Sequence, residues 1–252
     1  MAMLLDGPPS SIEDLAARDS DLLPVAVSEG IDLSVKLRLA AADVVTAIDN
    51  MLTSGVSIGS PIGAPGLRHV AVTPLLKLWH TYASLRLIYQ DLYFSRINDR
   101  YRAKMSLYRE EEAKALDELR TCGLGIVFDP LPQAPAPSVA PVESSDTAGT
   151  MYVGVAFVNR QGEEGLMSVP IEVDTQDGTV AEIRMAGFVE NAVGWNLYAG
   201  VAPNTLSRQN AQILDRLATE PLAPGSLSNG IQHRNGQQAN QLYPVPRRML
   251  RG

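Results

Sequence analysis

A single cysteine, Cys122, stands in 252 residues. That excludes an internal disulfide and any four-cysteine zinc site. Histidine is almost as scarce: His69, His80 and His233 are the three present, and none lies at metal-ligand spacing from another. No stretch approaches the ~20 apolar residues of a membrane helix. The longest apolar neighbourhood, Val35 to Leu52, is broken by Lys36, Arg38, Asp43 and Asp49. Basic residues are outnumbered, 21 against 28 acidic, for a net charge of −7. A broadly basic nucleic-acid binder is disfavoured. Met1 to Ser10 has no basic segment followed by an apolar one, so no secretory signal is expected. A soluble chain, assembled in a reducing compartment, is the expectation.

Motifs of chemistry are equally thin. Gly59 to Gly66 (GSPIGAPG) contains no lysine and makes a poor phosphate cradle. No G-x-S-x-G elbow occurs. Glu163 and Glu164 are adjacent, so in an extended chain they point to opposite sides and do not face one bond. Glu163, Asp174 and Asp177 match no calcium-loop spacing. No cofactor or metal is expected, and an enzyme is the weakest of the readings.

What the chain does have is 45% hydrophobic residues, enough for a core, and 17 prolines. Five of these, Pro130, Pro132, Pro135, Pro137 and Pro141, crowd into Asp129 to Thr150. Proline fixes φ and donates no hydrogen bond, so neither a helix nor a central strand is expected there. An extended linker is predicted instead. The resulting division is a helical domain over 1–128, a linker over 129–150, a small β-sandwich over 151–230 and an extended tail over 231–252. The fold class is α+β in two domains.

Upstream of the seam the periodicity is helical. Ser10 or Ser11 caps a short helix through Ile12 and Leu15, which Pro24 ends. Leu33, Leu37, Ala40, Val44, Ile48 and Leu52 form one apolar stripe, stopped by Gly55 and the Gly59 to Gly66 loop. His69 to Thr73 reads as a short extended piece. Pro74 sits at a first helical position, followed by Leu75, Leu78, Tyr82, Leu85, Tyr89 and Leu92. Asn98 is a candidate cap. A fourth helix carries Tyr101, Met105, Tyr108, Ala115 and Leu119, and Gly123 ends it. Its other face is charged. Arg96, Arg100, Arg102, Lys104 and Arg109 come first, then Glu110, Glu111, Glu112, Asp117 and Glu118. Such a face is either solvated or a subunit interface in which the basic half meets an acidic neighbour.

Downstream, Met151–Val158, Ser168–Asp174, Thr179–Met185 and Gly194–Gly200 read as short strands with Gly-rich turns. Pro170 marks an edge or bulge. Gln209 to Leu217 is an added strand or short helix. Trp195 and Tyr198 lie three apart on a strand and so point to opposite faces. One then fills the core and the other lies on the surface; the rival is a sugar-stacking platform.

These residues carry a resemblance. The stretch VTPLLKLWHTYASLRLIYQDLYFSRINDRYRAKMSLYREEEAKALDEL resembles head-tail connector (adaptor) proteins of tailed bacteriophages. It has a first helix, a loop, long helices with Trp79, Tyr82 and Tyr89, then Asn98, Asp99, Arg100, Tyr101 and Arg102. The second half, through Tyr152–Ser168 and Gly194–Gly200, is similar to immunoglobulin-like or fibronectin type III-like modules of phage structural proteins.

The resemblance implies a virion protein of the neck, assembled in the host cytoplasm, with no membrane. Its copies form a homo-oligomeric ring, commonly dodecameric, beneath the portal protein. The ring docks tail, nozzle or neck proteins and lets genomic DNA pass without specific binding. Gly123 to Leu131 and Tyr243 to Gly252 are the candidate portal-docking segments. Arg247, Arg248 and Arg251 are expected to anchor the tail on an acidic neighbour. The alternative is an appendage module that contacts host glycans through Trp195 or Tyr198.

Overall fold

The computed structural model describes residues 1–54, 65–96 and 99–245. Asn98, the core of the Gly59 to Gly66 loop, and Arg247, Arg248 and Arg251 lie outside the described residues, as does the side chain of Arg96. Helices come first: α1 (Ile12–Arg18), α2 (Leu22–Glu29), α3 (Leu33–Ser54), α4 (Pro74–Arg96) and α5 (Arg102–Cys122). Strands follow: β1 (Leu124–Ile126), β2 (Ser138–Glu143), β3 (Gly149–Val158), β4 (Ile171–Thr175), β5 (Thr179–Arg184), β6 (Gly194–Gly200), β7 (Ser207–Arg208), β8 (Thr219–Leu222) and β9 (Gln241–Tyr243). The protein is mixed α+β, with its helices N-terminal and most of its strands C-terminal.

The chain forms two compact units. One is Leu4–Phe128 with the chain from Ala239 onward; the other is Asp129–Gln238 with Met1–Met3. The β unit is therefore an insertion into the helical one. Antiparallel β1 and β9 pair Leu124 with Tyr243 and Ile126 with Gln241. Asn240 Oδ1 accepts a 2.8 Å bond from the Phe128 N–H. The described part of the extended tail expected over 231–252 runs in both units. Gly123, at φ 93°, permits the pairing, because a Cβ there would meet the Tyr243 carbonyl oxygen at 2.7 Å.

In the helical unit, Ser11 caps α1 with a reciprocal box. The Asp14 N–H donates to Ser11 Oγ, and Asp14 Oδ2 accepts from the Ser11 N–H at 2.8 Å. Pro24 does not end the first helical stretch. It sits in the first turn of α2, where an N–H would have no intrahelical partner anyway. Asp19 closes α1 instead. Residues 67–69 form a 3-10 turn, and Val70 bridges Ile126. The expected α3 stripe is buried: Leu37, Ala40, Val44, Ile48 and Leu52. On α4, Leu85, Ile88, Tyr89 and Leu92 are buried at helical spacing. α5 buries only a narrow stripe, Tyr108, Ala115 and Leu119, and leaves the rest of its circumference open.

In the β unit, β2-β5-β8 form one antiparallel sheet and β4-β3-β6-β7 another. Alternate residues of both face one core: Met151, Val153, Val155 and Phe157 on β3, Trp195 and Leu197 on β6, Ala181 and Ile183 on β5. The proline seam is not wholly linker, since it supplies β2. That strand is an edge, and Pro141 stands opposite Ala181. Pro221 sits on β8, the other edge. An edge strand tolerates a residue that cannot donate on one side, and the same feature blunts edge-to-edge association. Pro170 precedes β4, also an edge. Gln209 to Leu217 forms no helix or ladder strand; only Leu214 bridges Trp195. Every residue of β6 is buried, on both faces. Segment 231–238, expected as tail, contributes to covering the outer face.

Candidate functional site

The β unit carries a cleft of about 410 Å³ on the outer face of the β4-β3-β6-β7 sheet. Asn196 and Tyr198 of β6 and Arg208 of β7 contribute to it, with Glu163 and Glu164 from the turn after β3 and Arg234 from the covering segment. Strand alternation explains the placing. Trp195 and Leu197 point into the core, so Asn196 and Tyr198 point away from it. Tyr198 donates its hydroxyl to the Glu164 carboxylate, 2.7 and 2.8 Å from the two oxygens. Asn196 Nδ2 donates to the same carboxylate. Buried Asn210 ties this to the sheet: its Nδ2 donates to Asn196 Oδ1 at 2.8 Å, and its Oδ1 accepts from the Leu197 N–H at 2.8 Å. Burial, then the Glu164 hydrogen bond, pushes the Tyr198 hydroxyl far above its usual range.

His233 packs edge-on to the Tyr198 ring, centroids 5.2 Å apart. Its Nε2 donates to the Gly165 carbonyl at 2.9 Å, and its Nδ1 accepts from the Asn235 N–H at 3.1 Å. Burial lowers its pKa, so the ring stays neutral in this tautomer. Glu163 takes a different set of donors from its neighbour: Asn159 Nδ2 and Gln237 Nε2, each at 2.9 Å.

A second cluster lies in the helical unit, around buried Asp19. Its Oδ2 accepts from the hydroxyls of Tyr89 (2.5 Å) and Tyr108 (2.9 Å), and its Oδ1 from Lys104 Nζ (2.7 Å). Lys104 also reaches Asp21 Oδ2 at 3.1 Å and lies 5.2 Å from the Tyr89 ring centroid. Burial pushes the Asp19 carboxyl up, but the hydrogen bonds from Lys104, Tyr89 and Tyr108 outweigh it and hold the pKa low. Burial and Asp19 raise both tyrosines far above their ordinary value. For Lys104, the bonds to Asp19 and Asp21 outweigh burial and raise it. Every group is driven away from neutral pH, so none is poised to transfer a proton.

Ser10 and His80 form a serine–histidine pair, with Ser10 Oγ 2.5 Å from His80 Nδ1. The geometry is not that of an activated nucleophile. His80 Nε2 lies 3.1 Å from the Leu37 carbonyl, which can only accept, so Nε2 carries the proton and Nδ1 accepts from Ser10. Both residues are buried. Burial lowers the imidazole pKa to about 4, partly opposed by the Leu37 bond. The pair braces α4 against α3 and the segment before α1.

The residues expected at an interface divide. Arg100, Arg102 and Arg109 are exposed on or beside α5. Lys104 departs from that row, because its side chain turns inward to Asp19. Trp195 and Tyr198 are corrected as a surface platform. Trp195 is 0% exposed, its Nε1 donating to the Asp215 carbonyl at 2.9 Å, and Tyr198 is 1% exposed. Opposite faces are right, but the covering segment makes both faces internal, and neither ring can stack on a sugar.

Sequence reasoning missed the Asp19 cluster and the cleft, whose members are scattered along the chain. Tyr198, Lys104 and the adjacent Glu163 and Glu164 were singled out, but for other roles. Asp174 and Asp177 take up protein donors, Thr150 Oγ1 at 2.6 Å and the Ala148 N–H at 2.8 Å. No group of three metal-ligating side chains occurs among the described residues. Cys122 is exposed at the end of α5. No helix among the described residues is long and apolar enough to cross a membrane. No family model, curated protein or solved structure matches the chain.

Proposed function

We propose that the chain is a structural subunit of a tailed-phage neck: a head-tail connector that forms a ring under the portal protein, extends the DNA channel and docks tail or nozzle proteins. In this reading the β unit is an immunoglobulin-like sandwich carried on the ring, the protein acts without catalysis, and it resides in the virion. The reading rests on the resemblance of residues 72–119 and on one structural observation, the open face of α5.

That face is sorted by charge. At 3.6 residues per turn, Arg102, Arg109 and Arg120 fall within about 20° of one another along one flank. All three are exposed and form no ion pair with a described residue. Glu118 and Glu111, the latter paired with Lys114 at 2.6 Å, lie on the other flank, with exposed Glu110 and Asp117 between the two. A helix with one basic and one acidic side suits side-by-side contact of identical copies, in which the basic flank of one meets the acidic flank of the next. Such a contact is heterologous and closes into a ring when its rotation allows. The net charge of −7, repeated around a ring, would repel DNA phosphates rather than hold them.

The test is the mass of the purified protein, alone and mixed with the portal ring. The reading expects a ring on the portal, lost when Arg102, Arg109 and Arg120 are all changed to Glu and the fold is retained by circular dichroism. A stable trimer alone, or no association with the portal, overturns it.

A further inference from the structure

We propose that the β-unit cleft binds a hydroxylated carboxylate, the chemistry of a sugar acid, with Arg208 and Arg234 receiving the carboxylate. The argument is a division within the cleft between groups that are satisfied and groups that are not. Glu163, Glu164, Asn196 and Tyr198 spend their hydrogen bonds on one another and on nearby amides. They form a fixed floor. The Glu164 carboxylate is held by neutral donors, Asn196 Nδ2 and the Tyr198 hydroxyl.

The rim is different. Arg208 and Arg234 both line the cleft, and neither makes a side-chain hydrogen bond or ion pair with a described residue. Both act electrostatically on Tyr198, which places their charge at the floor. Arg208 is half-buried, and its Nε is buried with no hydrogen-bond partner among the described residues. A half-buried guanidinium with no anion among the described residues keeps its binding capacity for a ligand. Its planar fork suits a carboxylate.

The remainder of the ligand follows from the other walls. The side chains of Gln232 and Gln238 also line the cleft, form no hydrogen bond with a described residue, and offer both donors and acceptors, as hydroxyls require. Ile213 and Ile231, 45% and 67% exposed, supply apolar contact for carbon faces in place of the buried rings. A volume of about 410 Å³ suits a ligand of sugar size rather than a bare anion. This inference does not depend on the connector reading and stands or falls separately.

Calorimetric titration of the full chain with galacturonate, galactose and propionate tests it. Galacturonate is expected to bind at least about tenfold more tightly than either of the others, since galactose lacks the carboxylate and propionate the hydroxyls. Arg234→Gln, at an exposed position, is expected to weaken galacturonate at least about tenfold with the unfolding midpoint unchanged. Arg208→Gln should do the same and is read beside its own unfolding midpoint. A trimer of galacturonate that binds more tightly than the monomer assigns the end of a polysaccharide as the source, and equal binding assigns the free acid. The proposal is overturned if no ligand gives saturable heat, if galactose or propionate equals galacturonate, or if Arg234→Gln changes nothing.

Discussion

The Asp19 cluster of the helical unit and the Glu164 cleft of the β unit both set a carboxylate under a tyrosine hydroxyl. In the first, the cation comes from the same chain: Lys104 completes the charge, and two tyrosines and the Asp21 N–H complete the hydrogen bonds. In the second, the carboxylate is held by neutral donors, and the nearby Arg208 and Arg234 have no side-chain partner among the described residues. A buried charge with its full set of partners rigidifies the fold and is costly to disturb. A cation left open at a cleft does little for the fold and keeps its binding capacity for something else. The first cluster is therefore read as structure and the second as a site.

Breaking the packing around each cluster should give the largest effect. Trp195→Ala removes a fully buried indole beneath the cleft and should cost about 3–5 kcal/mol in urea unfolding, whereas an exposed platform would cost almost nothing. Asp19→Ala strands Lys104 and two buried hydroxyls, and a loss of about 3 kcal/mol is expected by the same measurement. A loss under about 0.5 kcal/mol would put the Asp19 cluster in the open class with the cleft.

The pH dependence sharpens the comparison. His80 is held neutral, with its pKa lowered from 6.5 to about 4. As pH falls, the unfolded chain takes up the proton first, so stability is full above about pH 6.5 and declines toward pH 4. The loss is about 3 kcal/mol for this fully buried ring, measured by denaturation at successive pH values. His80→Gln keeps an acceptor for Ser10 and a donor for Leu37 but does not titrate, and should flatten that part of the profile. The smallest effect belongs to Trp79, whose buried Nε1 has no partner among the described residues. Trp79→Phe removes the orphan donor along with some packing, and a net change within about 1 kcal/mol is expected.

Much of the fold was legible because it follows from local periodicity. The helix from Pro74 was placed by proline at its first position and by apolar spacing, and Gly194–Gly200 was placed to the residue by its flanking glycines. Pro24 misled because it suits the first turn of a helix as well as a break. The proline seam misled because proline bars only the central position in a sheet, and β2 is an edge. The three-residue strands β1 and β9 carry too little sequence to signal anything. Their pairing across more than a hundred residues is what makes the β unit an insertion.

The candidate site was less legible than the fold. Alternation placed Trp195 and Tyr198 on opposite faces, but exposure depends on what crosses the sheet, and His233 lies 35 residues beyond Tyr198. Lys104 read as one cation in an exposed row until Asp19, 85 residues away, was found beneath it.

The sequence by itself determined the order of helices and then strands, the absence of an internal disulfide, and the charged character of α5. These depend on composition and on spacings within one element. Only the tertiary structure decided that the β unit is inserted, that both aromatic rings of β6 are internal, and which charges are spent and which are open. Those depend on contacts between residues far apart in the chain, and no local periodicity encodes them.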